Sequence, residues 1–368
     1  MTRGQLTRKK WIGTLPTLLV GVMLGYTVFS ARFMPHISDP AGQSSRMTAW
    51  EGGPLSRPSY SHTLKASQER SKKSPSGSFL SKTSGPGWKM WDRSSVLFAN
   101  MNLTCNWNDY RPFIRGEVAP AVPFCAHPLS DDHFVSNSIV KKGRHVECDG
   151  LPTLLARGQG NDASNKDSPI IYVDVGANIG TCVMQMLLTT NATILAFEPH
   201  PYNLFVMTST FMRLDETLRD RIHLFPIALG AESAESTIHM ASDNRGHAVV
   251  SKVIKINNRA TFLPPMPIRV EPLDSIVHDG TRVHLMKMDA QGFECYIFDG
   301  MKRVLRTSRV VFFELEKKVL NGFERCSPQV LWDKFMQLGF QMHVGGPNRK
   351  ATTEMPEKGK INIVALKL

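Results

Sequence analysis

The chain has 368 residues, more than one average domain, and carries 44 Lys+Arg against 32 Asp+Glu, a formal charge of +12. Residues 1–95 hold 14 of the bases but only four of the acids (Asp39, Glu51, Glu69, Asp92), so the basic balance belongs to the N-terminal tail and the remainder is close to neutral. That argues against a nucleic-acid partner, whose phosphates demand positive charge on the folded part of the molecule.

In chain order, residues 1–11 form a short basic tail, expected to be cytosolic, with Arg8, Lys9 and Lys10 at its end. Residues 12–30 contain no charged side chain and are followed by Arg32. A run of that length can cross a bilayer, and basic residues ahead of it with a large polar bulk behind predict a signal anchor of single-pass type II topology with a luminal C-terminal domain. A cleaved signal ending at Ser30-Ala31 would give a secreted protein instead, but cleaved signals have shorter apolar cores. A mitochondrial presequence, suggested by the absence of acids before Asp39, would be amphipathic, whereas this run is apolar all round.

Residues 31–95 are rich in Ser, Pro, Gly, Lys and Arg and cannot bury a core, so they read as a disordered stem. Residues 96–168 regain aromatic and aliphatic side chains (Phe98, Trp107, Phe113, Phe124, Phe134, Leu151, Leu154, Leu155), which predicts an ordered preface packed on the main domain and ending in a polar loop. A secretory setting permits disulfides among Cys105, Cys125, Cys148 and Cys326, whereas Cys182 and Cys295 fall inside core motifs. No Cys/His spacing suggests zinc, and no metal is expected. Asn102-Leu-Thr104 and Asn191-Ala-Thr193 are glycosylation sequons.

From 169 to 368 strand and helix patterns alternate. Strands are expected at 169–175, 192–197, 222–229, 283–288 and 310–315, helices at 181–189, 201–213 and 330–338, and closing strands at 340–344 and 361–366. This predicts an α/β, Rossmann-like domain: a seven-stranded, mostly parallel sheet with a closing antiparallel hairpin and helices on both faces.

Three junctions at strand ends carry chemistry. The first is Asp174-Val-Gly176-Ala177-Asn178-Ile-Gly180, a Gly-rich turn before a helix N-terminus, suited to close backbone approach and to an anionic group, with Asp174 placed for a cationic one. It lacks the central glycine of the dinucleotide fingerprint, which disfavours a pyrophosphate. The second is Phe197-Glu198-Pro199-His200-Pro201, where Glu198 stands 22 residues after Gly176 and can accept two ribose hydroxyls. The third is Lys287-Met-Asp289-Ala-Gln291-Gly-Phe-Glu294, whose Asp289 should face the same crevice. Asp289, Glu294 and His200 are candidate bases; the bland alternatives are helix-capping carboxylates and a solvated imidazole.

Taken together, V-D-V-G-A-N-I-G at 173–180, F-E-P at 197–199, A-L-G at 228–230, L-D-S-I at 273–276, K-M-D-A-Q-G-F-E at 287–294 and F-E-L at 313–315 resemble the FkbM family of methyltransferases. The stretch from Ser130 to Glu147 resembles the lead-in of its eukaryotic members. The resemblance implies a class I methyltransferase fold, S-adenosylmethionine as cofactor, and O-methylation of a hydroxyl on a sugar or polyketide-like acceptor. It places Asp174, Gly176, Ala177, Asn178, Gly180, Glu198 and Ala228 at the cofactor. The family commonly has Glu where this chain has Gln291.

The leading expectation is therefore a membrane-anchored, luminal O-methyltransferase acting on a glycan or other hydroxyl acceptor, displayed on a stem as Golgi glycan-modifying enzymes commonly are. The competing readings are an NAD(P)-dependent oxidoreductase or epimerase on the same topology and a catalytically silent nucleoside-binding module. Acceptor selectivity is expected in residues 232–272 and in the preface.

Overall fold

The computed structural model describes residues 79–80 and 103–367, apart from 116, 118, 161–167, 243, 247, 251–261, 347 and 358. The expected tail and signal anchor, and all of the expected stem except Phe79 and Leu80, lie outside the described residues. Among the described residues no helix is long and apolar enough to cross a membrane.

Phe79 and Leu80 depart from the structureless stem. Leu80 bridges Val277, and the Phe79 carbonyl accepts the His278 N–H at 2.8 Å. The Phe79 ring also stands edge-on to His223, so this apolar pair docks on the domain.

The preface begins with a hairpin, β1 (Asn106–Tyr110) and β2 (Val122–Ala126). Helix α1 (Val135–Lys142) follows, then a turn at Val146–Cys148 and helix α2 (Leu151–Gln159). Asp132, fully buried, starts α1: its carboxylate accepts the N–H groups of Phe134, Val135 and Ser136 at 2.7–3.1 Å, which a helix start leaves without partners. The helix stops at Gly143, whose φ of 67° lets its N–H close on the Ile139 carbonyl.

The main sheet comprises β3 (Ile171–Val175), β4 (Thr193–Phe197), β5 (Ile222–Phe225), β10 (Leu285–Met288), β11 (Val310–Glu316), β12 (Gln341–Val344), β13 (Ala351–Thr352) and β14 (Lys360–Leu366). Helices α3 (Thr181–Thr189), α4 (Pro201–Phe211), α5 (Glu294–Asp299) and α6 (Pro328–Gln337) pack on it, with shorter helical turns between. Its order is β13-β12-β14-β11-β10-β3-β4-β5, eight strands where seven were expected; the extra one is the two-residue β13 at the edge. Strands β11 through β5 in that order are mutually parallel, while β14, β12 and β13 run antiparallel to their neighbours. The chain leaves β3 in one direction through β4 and β5 and returns on the other side at β10. That reversal opens a crevice over the carboxyl ends of β3 and β10.

The expected strand at 222–229 is broken. Pro226 has no N–H to continue the ladder, so β5 ends at Phe225 and the chain enters a second sheet as β6 (Ala228–Leu229). This sheet, with β7 (Ala234–Met240), β8 (Ala248–Val250) and β9 (Met266–Glu271), has the order β6-β9-β7-β8 and occupies the excursion that periodicity left unassigned.

Alternation along the strands divides the core in two. Tyr172, Ile194, Ala196, Leu285 and Val310 pack beneath α3, α4 and the preface. Val173, Leu195, Met286, Val311 and Phe313 face α5 and α6, including Ile297, Trp332 and Phe335.

All six cysteines pair: Cys105 with Cys125, Cys148 with Cys182, and Cys295 with Cys326. This corrects the reading that set Cys182 and Cys295 aside as core residues. Cys182 opens α3 facing the Val146–Cys148 turn, and so fastens the preface to the helix after the Gly-rich turn.

The preface is also seated by a backbone contact. A Cβ on Gly158 of α2 would lie 1.8 Å from the His284 carbonyl oxygen just before β10. Gly158→Ala should force α2 off the sheet and cost about 1–3 kcal/mol, read as a lower midpoint in urea unfolding.

Candidate active site

The turn after β3 is shaped by what crosses it. The β3–β10 pairing runs past the strand ends, with the Asp289 N–H donating to the Val175 carbonyl at 3.1 Å. A Cβ on Gly176 would stand 2.1 Å from the Asp289 carbonyl oxygen, and its φ is 75°, so only glycine fits. Gly180, at φ 85°, turns the chain into α3 where a side chain would press on Met207. Asn178 between them also has positive φ, at 54°.

Glu198 closes this turn from the end of β4. It is 4% exposed, and its two carboxylate oxygens accept the N–H groups of Asn178 and His200, each at 2.8 Å. Burial outweighs these bonds and pushes its pKa up to about 7.

Lys287 on β10 lies in register with Asp174 on β3 and donates to its carboxylate at 3.3 Å. Its amine is 3.9 Å from Asp289. Burial works against charge on Lys287, but the carboxylates of Asp174 and Asp289 outweigh it and hold its pKa above the ordinary lysine value. Asp289 also accepts the Gln291 side-chain amide at 2.8 Å. Next to it on the sheet, Glu314 of β11 pairs with Lys360 of β14 at 2.8 Å. Burial, reinforced by Asp289, raises Glu314 to about 7.

Two lobes open over these groups. The small one is lined by Glu198, Ile227, Ala228, Val250 of the second sheet and Phe293. The wide one, about 590 Å³, lies between α1 and the ends of β10, β11 and β14, and includes Ala177, Lys287, Glu314 and Lys360. Gly176, Asn178, Gly246, Asp289 and Gln291 border both. The side-chain oxygen of Asn178 is buried there without a hydrogen-bond partner. The narrow lobe brings together a strand-end carboxylate, a glycine-only backbone wall and an unsatisfied acceptor, the polar groups that a ribose and a short polar arm would engage.

Of the expected site residues, Gly176, Ala177, Asn178, Glu198, Ala228 and Asp289 line these lobes. Gly180 shapes the turn behind them. Three further residues expected at the site line neither lobe. Asp174 is fully buried behind Lys287 and lines neither lobe, so Lys287 is the group that faces the cleft. His200 is the N-cap of α4, its Nδ1 accepting the Tyr202 N–H; burial lowers its pKa to about 3, and it too lines neither lobe. Glu294 turns back to accept the Ala290 N–H at 2.9 Å and is 3% exposed, a brace for the loop after β10 rather than a base in the cleft. Glu314 was missed, although an acid inside the apolar run at 310–315 is the signal that marks it. Among the described residues no cluster of His, Cys, Asp and Glu could hold a metal.

A mixed sheet with a reversal at β3/β10 and a two-lobed crevice at its carboxyl ends defines a Rossmann-like α/β fold. Residues 174–342 match the family model of the Methyltransferase FkbM domain, so a methyltransferase domain occupies the middle and C-terminal part of the chain. S-adenosylmethionine is the cofactor of such a domain. Among curated proteins, hexuronic acid methyltransferase AglP of Haloferax volcanii is 28% identical over 150 residues, 40% of this chain and 56% of the relative. The match thus spans little more than half of that relative's length. Among solved structures, magnesium protoporphyrin IX methyltransferase (ChlM) from Synechocystis PCC 6803 with bound SAM shares 7% identity at a TM-score of 0.32, over 64% of this chain and 84% of that one. Precorrin-6y C5,15-methyltransferase from Geobacter metallireducens GS-15 shares 13% at 0.31, over 59% and 87%.

The bracing role of Glu294 has a measurable sign. Burial, reinforced by Asp289, moves its pKa from 4.5 to about 7 on folding, so the folded chain keeps a proton that the unfolded chain releases in that window. Stability therefore falls as pH rises from 4.5 to 7 and stays lower above it. Glu294→Gln keeps the acceptor for Ala290 and cannot ionise. Relative to the parent it should gain about 3 kcal/mol between pH 5 and pH 8 in urea unfolding; an unchanged difference would put the carboxyl in contact with water.

Proposed function

We propose that the chain is an S-adenosylmethionine-dependent O-methyltransferase acting on a hydroxyl of a glycan in the secretory pathway. The observation that carries this reading is the position of Asp289, which borders both the small lobe beside Glu198 and the wide lobe open to an acceptor. The AglP relative, named for a sugar acid, supports a glycan acceptor.

In this reading Glu198 takes the ribose hydroxyls, Ile227 and Ala228 wall the base, and the Gly176–Ala177 backbone passes under the methionine arm. The bound donor supplies a methyl group that leaves sulfur as the acceptor oxygen bonds to it, the acceptor's proton passing to a carboxylate and a neutral thioether remaining. Asp289 and Glu314 hold the acceptor hydroxyl and take that proton. An alcohol gains acidity as its oxygen is alkylated, so a carboxylate suffices as base, and Glu314 near 7 is matched to neutral pH. Lys287 and Lys360 offset part of the repulsion between the two carboxylates.

The test separates binding from chemistry. Glu198→Gln should weaken donor binding in calorimetry about 10- to 100-fold. Asp289→Asn should lower turnover about 10²- to 10⁴-fold with donor affinity nearly unchanged. Equal loss of donor affinity in Asp289→Asn would make that residue a cofactor ligand.

The luminal location rests on the apolar run at 12–30 and on the pairing of all six cysteines, which reducing compartments disfavour. A glycosylation acceptor site inserted after residue 95 should give a glycan-shifted product that stays with membranes in carbonate. A shifted product in the medium would indicate a cleaved signal, and an unshifted one a cytosolic or mitochondrial chain.

A further inference from the structure

The wide lobe has a floor and a wall of different electrostatic character. On the floor two lysines are divided among the acids: Glu314 and Glu316 share Lys360 at 2.8 and 3.8 Å, and Asp289, at 3.9 Å, shares Lys287 with the buried Asp174 at 3.3 Å. The wall is α1 and its exit. Lys141 and Lys142 line the lobe, are exposed, and have no ion-pair partner among the described residues. His145 extends the wall beside Glu147 at 3.3 Å. Glu147 is the wall's one lining carboxylate against Lys141 and Lys142, so the wall carries a net positive charge while the floor does not.

The same wall carries an aromatic. Phe134, at the start of α1, lines the lobe and is 66% exposed, the most exposed of the large apolar side chains among the described residues. Asn137, Ser138 and Lys141 follow Phe134 at i+3, i+4 and i+7, so one face of the helix presents a ring, an amide, a hydroxyl and an ammonium. Cations in the last turn of a helix also favour its dipole, which accounts for the lysines' sign. It does not account for an apolar ring left in water on the same face, lining the same lobe.

We propose that this face of α1 recognises an acidic sugar: the ring of the sugar stacks on Phe134 and its oxyanion, a carboxylate or a sulfate, is held by Lys141 and Lys142. A neighbouring hydroxyl of that sugar is then turned toward Asp289 and Glu314 on the floor. The inference rests on the methyl-transfer reading for the identity of the lobe as acceptor site. It makes a negatively charged glycan, not a neutral one, the acceptor class.

The experiment uses the full-length chain in detergent and three tetrasaccharides: hyaluronan (carboxylates only), chondroitin sulfate (carboxylates and sulfates) and chitotetraose (neutral). Binding is measured by calorimetry with donor product present, and methyl transfer with labelled donor. An acidic tetrasaccharide should bind at least tenfold more tightly than chitotetraose, and its affinity should fall as salt is raised. The double variant Lys141→Ala, Lys142→Ala should erase that preference, with donor affinity and the thermal midpoint retained. Phe134→Ala should weaken the acidic ligand with the lysines intact. Binding of hyaluronan equal to the sulfated ligand assigns the oxyanion as carboxylate, and binding of the sulfated ligand alone assigns it as sulfate; both support the proposal. Equal affinity for chitotetraose, no binding of either acidic ligand at millimolar concentration, or a preference that survives the double lysine variant overturns it. Failure of the methyl-transfer reading is visible separately, as a parent chain that binds tetrasaccharide but not the donor.

Discussion

The site depends on one close approach, the backbone of Gly176 against the carbonyl of Asp289. Parallel pairing between β3 and β10 continues beyond the strands proper, so the two turns that leave them are held in contact rather than splayed. Everything chemical follows from that contact. It places Asp289 on the ridge between the two lobes, brings Lys287 over Asp174, and fixes where Asn178 and Gln291 turn through positive φ.

Glu198 performs the complementary task from the other side of β3. One carboxylate spans the turn after β3 and the turn after β4 through two backbone N–H groups. The arrangement preorganises the small lobe, at an electrostatic cost visible in the raised pKa of a buried acid. Four buried or half-buried carboxylates, Asp174, Glu198, Glu294 and Glu314, share that rise in direction, but only Glu198 and Glu314 face a lobe. Perturbation alone does not mark function here; position does.

Much of this was legible in the residue pattern. Continuous apolar runs ended by Gly176 or Pro199 locate β3 and β4, and Glu198 follows from its place at a strand end. The errors have physical causes. A strand-end carboxylate can point along the strand or across it, and Asp174 points across; the clue was Lys287, a cation inside an apolar strand that had to find a buried partner. His200 precedes a proline at the first helical position, where the preceding residue is a cap, so its role was readable too. The second sheet was not, because β6 and β8 are two and three residues long and β6 finds its partner only at the distant β9. The cysteines at 182 and 295 sit on helix faces whose partners no periodicity reveals.

The three disulfides share a property of order. Each joins a cysteine to the very next one in the chain, across separations of 20, 34 and 31 residues, with no bridge nested in or crossing another. Sequential connectivity of this kind is compatible with closing each bridge in the order in which the chain is made, since no cysteine has to wait for a partner beyond the next one. The same chain refolded whole, with all six thiols free at once, has fifteen full pairings open to it.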